Sequence, residues 1–312
     1  MTESDVFVST RQAARILNVH ESSIKRWCND GQLDARLTQG GHRRLPFGQV
    51  LEFARSQKIE SPILSFAPYE LRVWRSVQDA TRGKFEDAVS LLFSATAENR
   101  ESFAQQLTTL LLESGVEVGP LFDKLFGPVL REIGDQWLAG RVSTGDEHRM
   151  TQILSDCIAT VRNRRPIVAS TKPNALVACA PGENHELGAL MVRAALEHNG
   201  WQTVYLGRNA PTEDIANQQR RWDVRLVCVS FIPPHGPADA QMLVRALARS
   251  YDNENPYSLA IGGGTLGAFR MEDPEHPFVD FARFGSISDF NKWAAAVAAA
   301  VSTQPEPEPE LT

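Results

Sequence analysis

Asn174-Ala-Leu-Val-Ala-Cys-Ala-Pro-Gly-Glu-Asn-His-Glu-Leu-Gly188 is the stretch whose reading decides the fold of the C-terminal half. An apolar run, Asn174 to Ala180, breaks at Pro181-Gly182; a helical pattern then runs from Leu187 to Glu197 and stops at Asn199-Gly200. The unit recurs: Thr203 to Leu206 before a helix from Pro211 to Arg221, then Val224 to Ser230 before a helix from Ala238 to Ser250. Ser258-Leu-Ala-Ile261 leads into Gly262-Gly263-Gly264. Short apolar strands alternating with helices predict a parallel, doubly wound, Rossmann-like sheet. Such sheets bind ligands outside the carboxyl ends of their strands, and the turn Glu183 to Gly188 stands at one of those ends.

His185 sits in that turn, with Glu183 two residues before it. A carboxylate so placed can accept the second N–H of an imidazole, which fixes the tautomer of a metal-bound histidine and raises its basicity. Gly188 lets a ligand approach the backbone. Ser230 ends one strand and Gly262-Gly263 the next, so a hydroxyl and bare backbone share one cleft. The plainer reading of His185 is a helix N-terminus capped by Asn184. In order, Glu183-x-His185-x-x-Gly188, Ser230-Phe231-Ile232 and Gly262-Gly263 resemble the D/E-x-H-x-x-G, S-x-L and G-G pattern of cobalamin-binding domains, with Ile in place of Leu. The resemblance implies that His185 replaces the cofactor's own lower base on cobalt. It also implies that the displaced nucleotide tail lies beside the serine and the glycines.

Upstream, residues 69 to 165 carry helical periodicity throughout. Phe85, Val89, Leu92, Phe93 and Thr96 share one helix face; Leu121, Leu125, Val129, Ile133 and Trp137 step by four; Met150, Ile153, Leu154, Cys157, Ile158 and Val161 form another stripe. Successive helices with short connections predict a bundle. Trp137 and, after nine intervening residues, Glu147-His148 resemble the cap of the CarH/LitR-type cobalamin-dependent photoreceptor regulators. The resemblance implies that these three residues cover the upper face of the corrin. Each also has a simpler reading: Trp137 as core, Glu147 as the end of a Thr144-Gly-Asp-Glu147 capping box, His148 as surface. Well-studied members of that family have a histidine directly after the tryptophan, which ligates cobalt after light; this chain has Leu138.

At the N-terminus, Arg11 to Leu17 and Glu21 to Cys28 are two short helices around the turn Asn18-Val19, a helix-turn-helix pattern. Ile24, Trp27 and Cys28 are expected in the core, and Ser22, Ser23, Lys25 and Arg26 toward the major groove. Leu37 to Leu45 reads as a hairpin whose glycine tip leads into His42, Arg43 and Arg44, donors suited to phosphates and a minor groove. Pro46 starts a helix from Phe47 to Arg55. The stretch resembles the winged helix-turn-helix of the MerR superfamily.

The chain of 312 residues carries a net charge of −6, yet Ser22 to Arg44 holds five basic residues against two acids. Whole-chain acidity therefore does not exclude a local nucleic-acid reader. With 42% hydrophobic and 22% charged residues the composition is globular. The longest small-apolar run, Ala294 to Val301, is far short of the roughly 20 residues a membrane helix needs. The start has no apolar signal region. Four scattered cysteines without a CxxC read as reduced thiols of a cytoplasmic protein. The expected division is a winged helix-turn-helix over 1–56, a linker over 57–68, a bundle over 69–165, a cobalamin-binding domain over 166–301 and an acidic disordered tail over 302–312.

No nucleophile or proton-transfer constellation appears, so the expectation is a regulator rather than an enzyme. The family resemblance implies adenosylcobalamin, operator DNA, a homo-oligomer, and release from DNA when light breaks the cobalt–carbon bond. Two rivals stand beside it. One is a light-independent sensor of cobalamin or of another chromophore. The other is a corrinoid carrier of a methyltransferase, which has no use for an N-terminal reader.

Overall fold

The computed structural model of the chain describes residues 6–165, 174–232, 234–264, 266, 269–270 and 276–302. Nearly all of the acidic tail lies outside them. The chain forms two compact units: Met1–Val116 with Glu132–Met150, and Glu117–Arg131 with Thr151–Thr312.

In the first unit, β1 (Phe7–Ser9) precedes α1 (Thr10–Leu17) and α2 (Glu21–Asn29); β2 (Arg36–Leu37) and β3 (Arg43–Pro46) form the hairpin, and α3 (Phe47–Ser56) follows. The three strands make an antiparallel sheet in the order β1-β3-β2. Helix α1 starts where it does because Ser9 and Gln12 cap each other reciprocally, at 3.2 and 2.9 Å. It stops because Asn18 takes a left-handed φ of 51°, which turns the chain into α2.

In the stretch read as a linker, Pro62–Phe66 is a turn of 3-10 helix with Ile63 and Phe66 buried. Ser61 donates its hydroxyl to the Ile16 carbonyl of α1 at 2.5 Å. Helix α4 (Glu70–Ala80) then packs back on α3: the Trp74 ring lies 5.8 Å from Phe47, and the buried Glu70 carboxylate accepts from Arg55 at 2.6 Å. The helix-turn-helix and the first bundle helices are therefore one packed body. Helices α5 (Glu86–Ala97) and α6 (Glu101–Glu113) complete this part.

Helix α7 (Val118–Leu121), a π turn (Phe122–Phe126), α8 (Gly127–Leu138) and α9 (Thr144–Asn163) follow. The bundle expected over 69–165 is thus shared between the two units, and Asp123 shows why. Its carboxylate accepts from the Ile287 and Ser288 amides at 2.7 and 2.9 Å and from the Ser286 and Ser288 hydroxyls. It caps the first turn of α13 (Ile287–Ser302) from a distant part of the chain.

The second unit is built on a five-stranded sheet, all parallel, in the order β5-β4-β6-β7-β8. Its elements are β4 (Asn174–Cys179), α10 (Leu187–His198), β5 (Gln202–Gly207), α11 (Thr212–Arg221), β6 (Val224–Ser230), α12 (Pro237–Arg249), β7 (Ser258–Gly262) and β8 (Phe281–Phe284). The chain runs from β4 to β5 on one side, then crosses back to β6 on the other. The order reverses between β4 and β6, which puts the ligand-binding switch point of such sheets at their carboxyl ends. Among the described residues, no helix is long and apolar enough to cross a membrane. No disulfide links Cys28, Cys157, Cys179 and Cys228.

Buried Glu197 holds the end of α10 in place. Its carboxylate accepts from Arg162 and Arg165 at 2.6 Å each, from Arg193 at 3.0 Å and from the Thr203 hydroxyl at 2.6 Å. Burial opposes its ionisation, but Thr203, Arg162 and Arg193 outweigh it and hold the carboxyl below its ordinary range. A depressed carboxyl stabilises the fold above its unfolded value, and that stability is lost as pH falls through the folded value. Glu197→Gln is therefore expected to cost about 2 kcal/mol at neutral pH, the scale of hydrogen bonds to a charged group, and to flatten the acid limb of the unfolding profile. Thermal unfolding of both proteins from pH 7 to pH 3 measures this, and parallel profiles would refute it.

Candidate functional site

The two faces of the parallel sheet carry side chains of different size. On the face under α11 and α12 the strands present Leu176, Val227, Val229, Leu259 and Ile261. On the face under α10 and α13 they present Val177, Cys228 and Ala260, aligned in register. The next row on that face, at the carboxyl edge, is Cys179, Ser230 and Gly262, again neighbours in register. Side chains there shrink toward the switch point, so this face narrows least where a ligand would enter. Burial, and then the Glu183 and Glu186 carboxylates, push the Cys179 thiol up to about 12, and burial alone raises Cys228. Neither thiol offers a thiolate to a metal.

His185 stands over this edge on the β4–α10 turn. Glu183 is buried and His185 is exposed, its side chain 65% accessible. Glu183 Oε1 accepts from the imidazole Nδ1 at 2.7 Å and from the His185 amide at 2.8 Å. Its Oε2 accepts from the Ile232 amide at 2.8 Å. With Nδ1–H donating to the carboxylate, Nε2 keeps the lone pair of an accessible ring. Asn184 is not the helix cap; Glu186 holds that position.

Gly188 lies against Ser230: a Cβ there would come within 2.9 Å of the serine Oγ. Gly262 and Gly263 have a different physical reason. A Cβ on Gly262 would meet the Phe284 carbonyl at 3.3 Å, and one on Gly263, at φ +140°, would fall 1.7 Å from the Phe231 carbonyl oxygen. The double glycine thus closes β7 against its neighbours. The geometry assembles Glu183, His185, Gly188, Ser230, Gly262 and Gly263 at one sheet edge of the second unit. Sequence reasoning missed Asn209, Tyr205 and Arg208, which grip the same turn. Tyr205 donates to Glu186 at 3.1 Å, Arg208 pairs with Glu186, and Asn209 bonds Gly182 and Glu183. No motif marks these residues, because the contact joins two loops across parallel strands.

The residues fit a metal macrocycle. Among the described residues no three His, Cys, Asp or Glu side chains group to hold a metal ion. A single backed imidazole beside a slot of small side chains is a donor set that suits a metal whose other ligands come from a ring.

Trp137, Glu147 and His148 lie at the α8–α9 turn of the first unit. Trp137 is 44% exposed, so it is not core; its indole donates to Thr144 at 3.2 Å. Leu138 is 77% exposed. The helix cap sits one residue earlier than expected: Ser143 accepts from the Asp146 amide at 3.1 Å and donates its hydroxyl to the Asp146 carboxylate at 2.7 Å. The helix therefore does not use Glu147 as its cap, and Glu147 lies 3.5 Å from His148. Arg149 anchors α9 on the Thr96 and Ala97 carbonyls at the end of α5.

In the reader, Ile24 is buried as expected, Trp27 packs on Phe53 at 4.9 Å, and Cys28 is half-buried. Ser22, Lys25, Arg26, His42 and Arg44 are exposed, and Ser23 is half-buried. Lys25 pairs with Glu21 at 3.1 Å, and Ser22 bonds His20 at 2.8 Å. Arg43, the second of the three wing donors, has a partner within the chain. It is half-buried and donates to Asn29 at 2.6 Å, bracing the hairpin against α2.

The B12 binding domain family matches residues 173–289, and a helix-turn-helix domain family matches residues 7–58. The chain is 25% identical over 219 residues to the HTH-type transcriptional repressor CarH of Myxococcus xanthus, covering 65% of this chain and 71% of that one. It is 28% identical over 155 residues to the HTH-type transcriptional repressor CarA of the same organism, where it spans 49% of that protein's length and 49% of its own. The fold of the monomethylamine corrinoid protein of Methanosarcina barkeri aligns with a TM-score of 0.53 at 18% identity, over 66% of this chain and 96% of that one. With matches to a helix-turn-helix domain and to a B12 binding domain in one polypeptide, the chain resembles CarH-like cobalamin-binding transcriptional regulators.

Proposed function

We propose that the protein holds cobalamin through His185 and couples the state of that cofactor to DNA binding by its winged helix-turn-helix. One observation carries the reading: a buried carboxylate fixes the tautomer of an exposed imidazole at the switch point, above the row Cys179, Ser230 and Gly262. Adenosylcobalamin, when bound, supplies a cobalt–carbon bond that visible light breaks. The chain's own residues do the rest. Glu183 orients His185 and keeps its lone pair on Nε2. Gly188 leaves the space over Ser230 open for the nucleotide tail. Trp137, Glu147 and His148 are assigned, by the resemblance, to cofactor binding. Arg26 and Arg44 meet DNA, in an oligomer bound at the operator.

Leu138 favours a second reading, a sensor of cobalamin that needs no light. Its side chain has no lone pair, so position 138 cannot supply the histidine on which a stable light product of the family depends.

Three outcomes follow. His185→Ala removes the imidazole signature from the spectrum of the cobalamin-loaded protein and weakens retention about tenfold or more; an unchanged spectrum and affinity would exclude this ligand. Arg44→Gln weakens binding to all duplexes alike and lowers the slope of log affinity against log salt by about 1, whereas Arg26→Gln also alters sequence preference. Gel shifts at several salt concentrations separate the two, and a wild-type slope for Arg44→Gln would remove it from the phosphate contacts. Leu138→His shifts the spectrum after illumination toward that of two imidazole ligands. A wild type that already gives that spectrum would place the upper ligand elsewhere.

A further inference from the structure

We infer that Asn209, a residue outside every motif of the chain, is the positioning residue that sets the height and angle of His185. The inference rests on the proposed role of His185 as the lower ligand. Asn209 follows β5, is solvent-exposed, and takes a left-handed φ of 47°. Core packing explains neither the residue nor its backbone. Its hydrogen bonds do. The side-chain Oδ1 accepts from the Gly182 amide at 2.7 Å, and its own amide donates to the Glu183 carbonyl at 2.8 Å. Next to it, the Ala210 amide donates to the Cys179 carbonyl at 3.3 Å. The two clamped residues are those that lead into His185, and one of them is the carboxylate that orients its ring.

The far side of the same turn is gripped from the same strand end: Glu186, directly after His185, accepts from Tyr205 and Arg208. The β5–α11 connection thus holds the His185 turn on both sides. Left-handed backbone is unfavourable for most residues with a side chain, and asparagine is among the few that tolerate it. Asparagine and aspartate combine that tolerance with an acceptor oxygen that can reach the Gly182 amide.

Two substitutions separate backbone from acceptor. Asn209→Gly keeps the left-handed conformation and deletes the acceptor; Asn209→Asp keeps an oxygen at the acceptor position. Amide hydrogen exchange on the cofactor-free protein reads the clamp itself. Hydroxocobalamin binding and the absorbance of the loaded protein read its effect on ligation. Asn209→Gly is expected to speed exchange of the Gly182 amide about tenfold and to weaken hydroxocobalamin binding about tenfold with a reduced imidazole signature. Asn209→Asp is expected to restore most of both. Wild-type exchange and binding in Asn209→Gly overturn the inference, and so does an Asn209→Asp protein as impaired as Asn209→Gly. His185→Ala serves as the control. If it leaves hydroxocobalamin binding and spectrum unchanged, the ligand reading fails, and Gly182 exchange in the cofactor-free protein still decides the clamp.

Discussion

The Glu183 carboxylate is the constraint on which the functional half of the molecule depends. It is buried, and it accepts three hydrogen bonds: from the His185 ring, from the His185 amide and from the Ile232 amide. A carboxylate taken out of water costs several kcal/mol unless its oxygens are satisfied, so these donors have no freedom to leave. One of them belongs to the far side of the switch point, just beyond the end of β6. A single side chain thereby ties the β4 turn to the β6 turn and fixes the imidazole above the gap. The cost of burying the group is offset by donors that define the site.

The second consequence concerns the reader. Phe47 against Trp74, Arg55 on buried Glu70 and Ser61 on the Ile16 carbonyl join the helix-turn-helix to the first bundle helices. A reader tethered by a loose chain would respond to the bundle only through its local concentration. A reader packed on α4 turns with it. The Arg43–Asn29 bond extends the same rigidity into the hairpin, since it fixes the hairpin to α2, the second helix of the helix-turn-helix. The exposed donors Arg26, His42 and Arg44 are therefore presented in one fixed pattern.

The periodicities determined a great deal by themselves. The alternation of Val, Leu and Ala runs with amphipathic helices gives a parallel sheet because both faces must be buried. The turn at Asn18 is a local feature and so is legible locally. The spacing Glu183-x-His185 places the carboxylate within reach of the ring, and the structure puts it there. Tertiary structure decided the rest. The stripe from Leu121 to Trp137 read as one more helix of a bundle, yet Asp123 within it bonds residues more than 160 positions away and joins the sheet unit. Two capping pairs of identical spacing, Ser143-x-x-Asp146 and Thr144-x-x-Glu147, overlap in the sequence, and the structure uses the first. Gly263 read as a ligand-facing glycine, but the Phe231 carbonyl of a neighbouring strand end is what forbids a side chain there. Asn209 left no signal at all, because its partners are near only after β5 has paired with β4. Interactions within one turn of chain are written in spacing; those that join strand ends exist only once the sheet has closed.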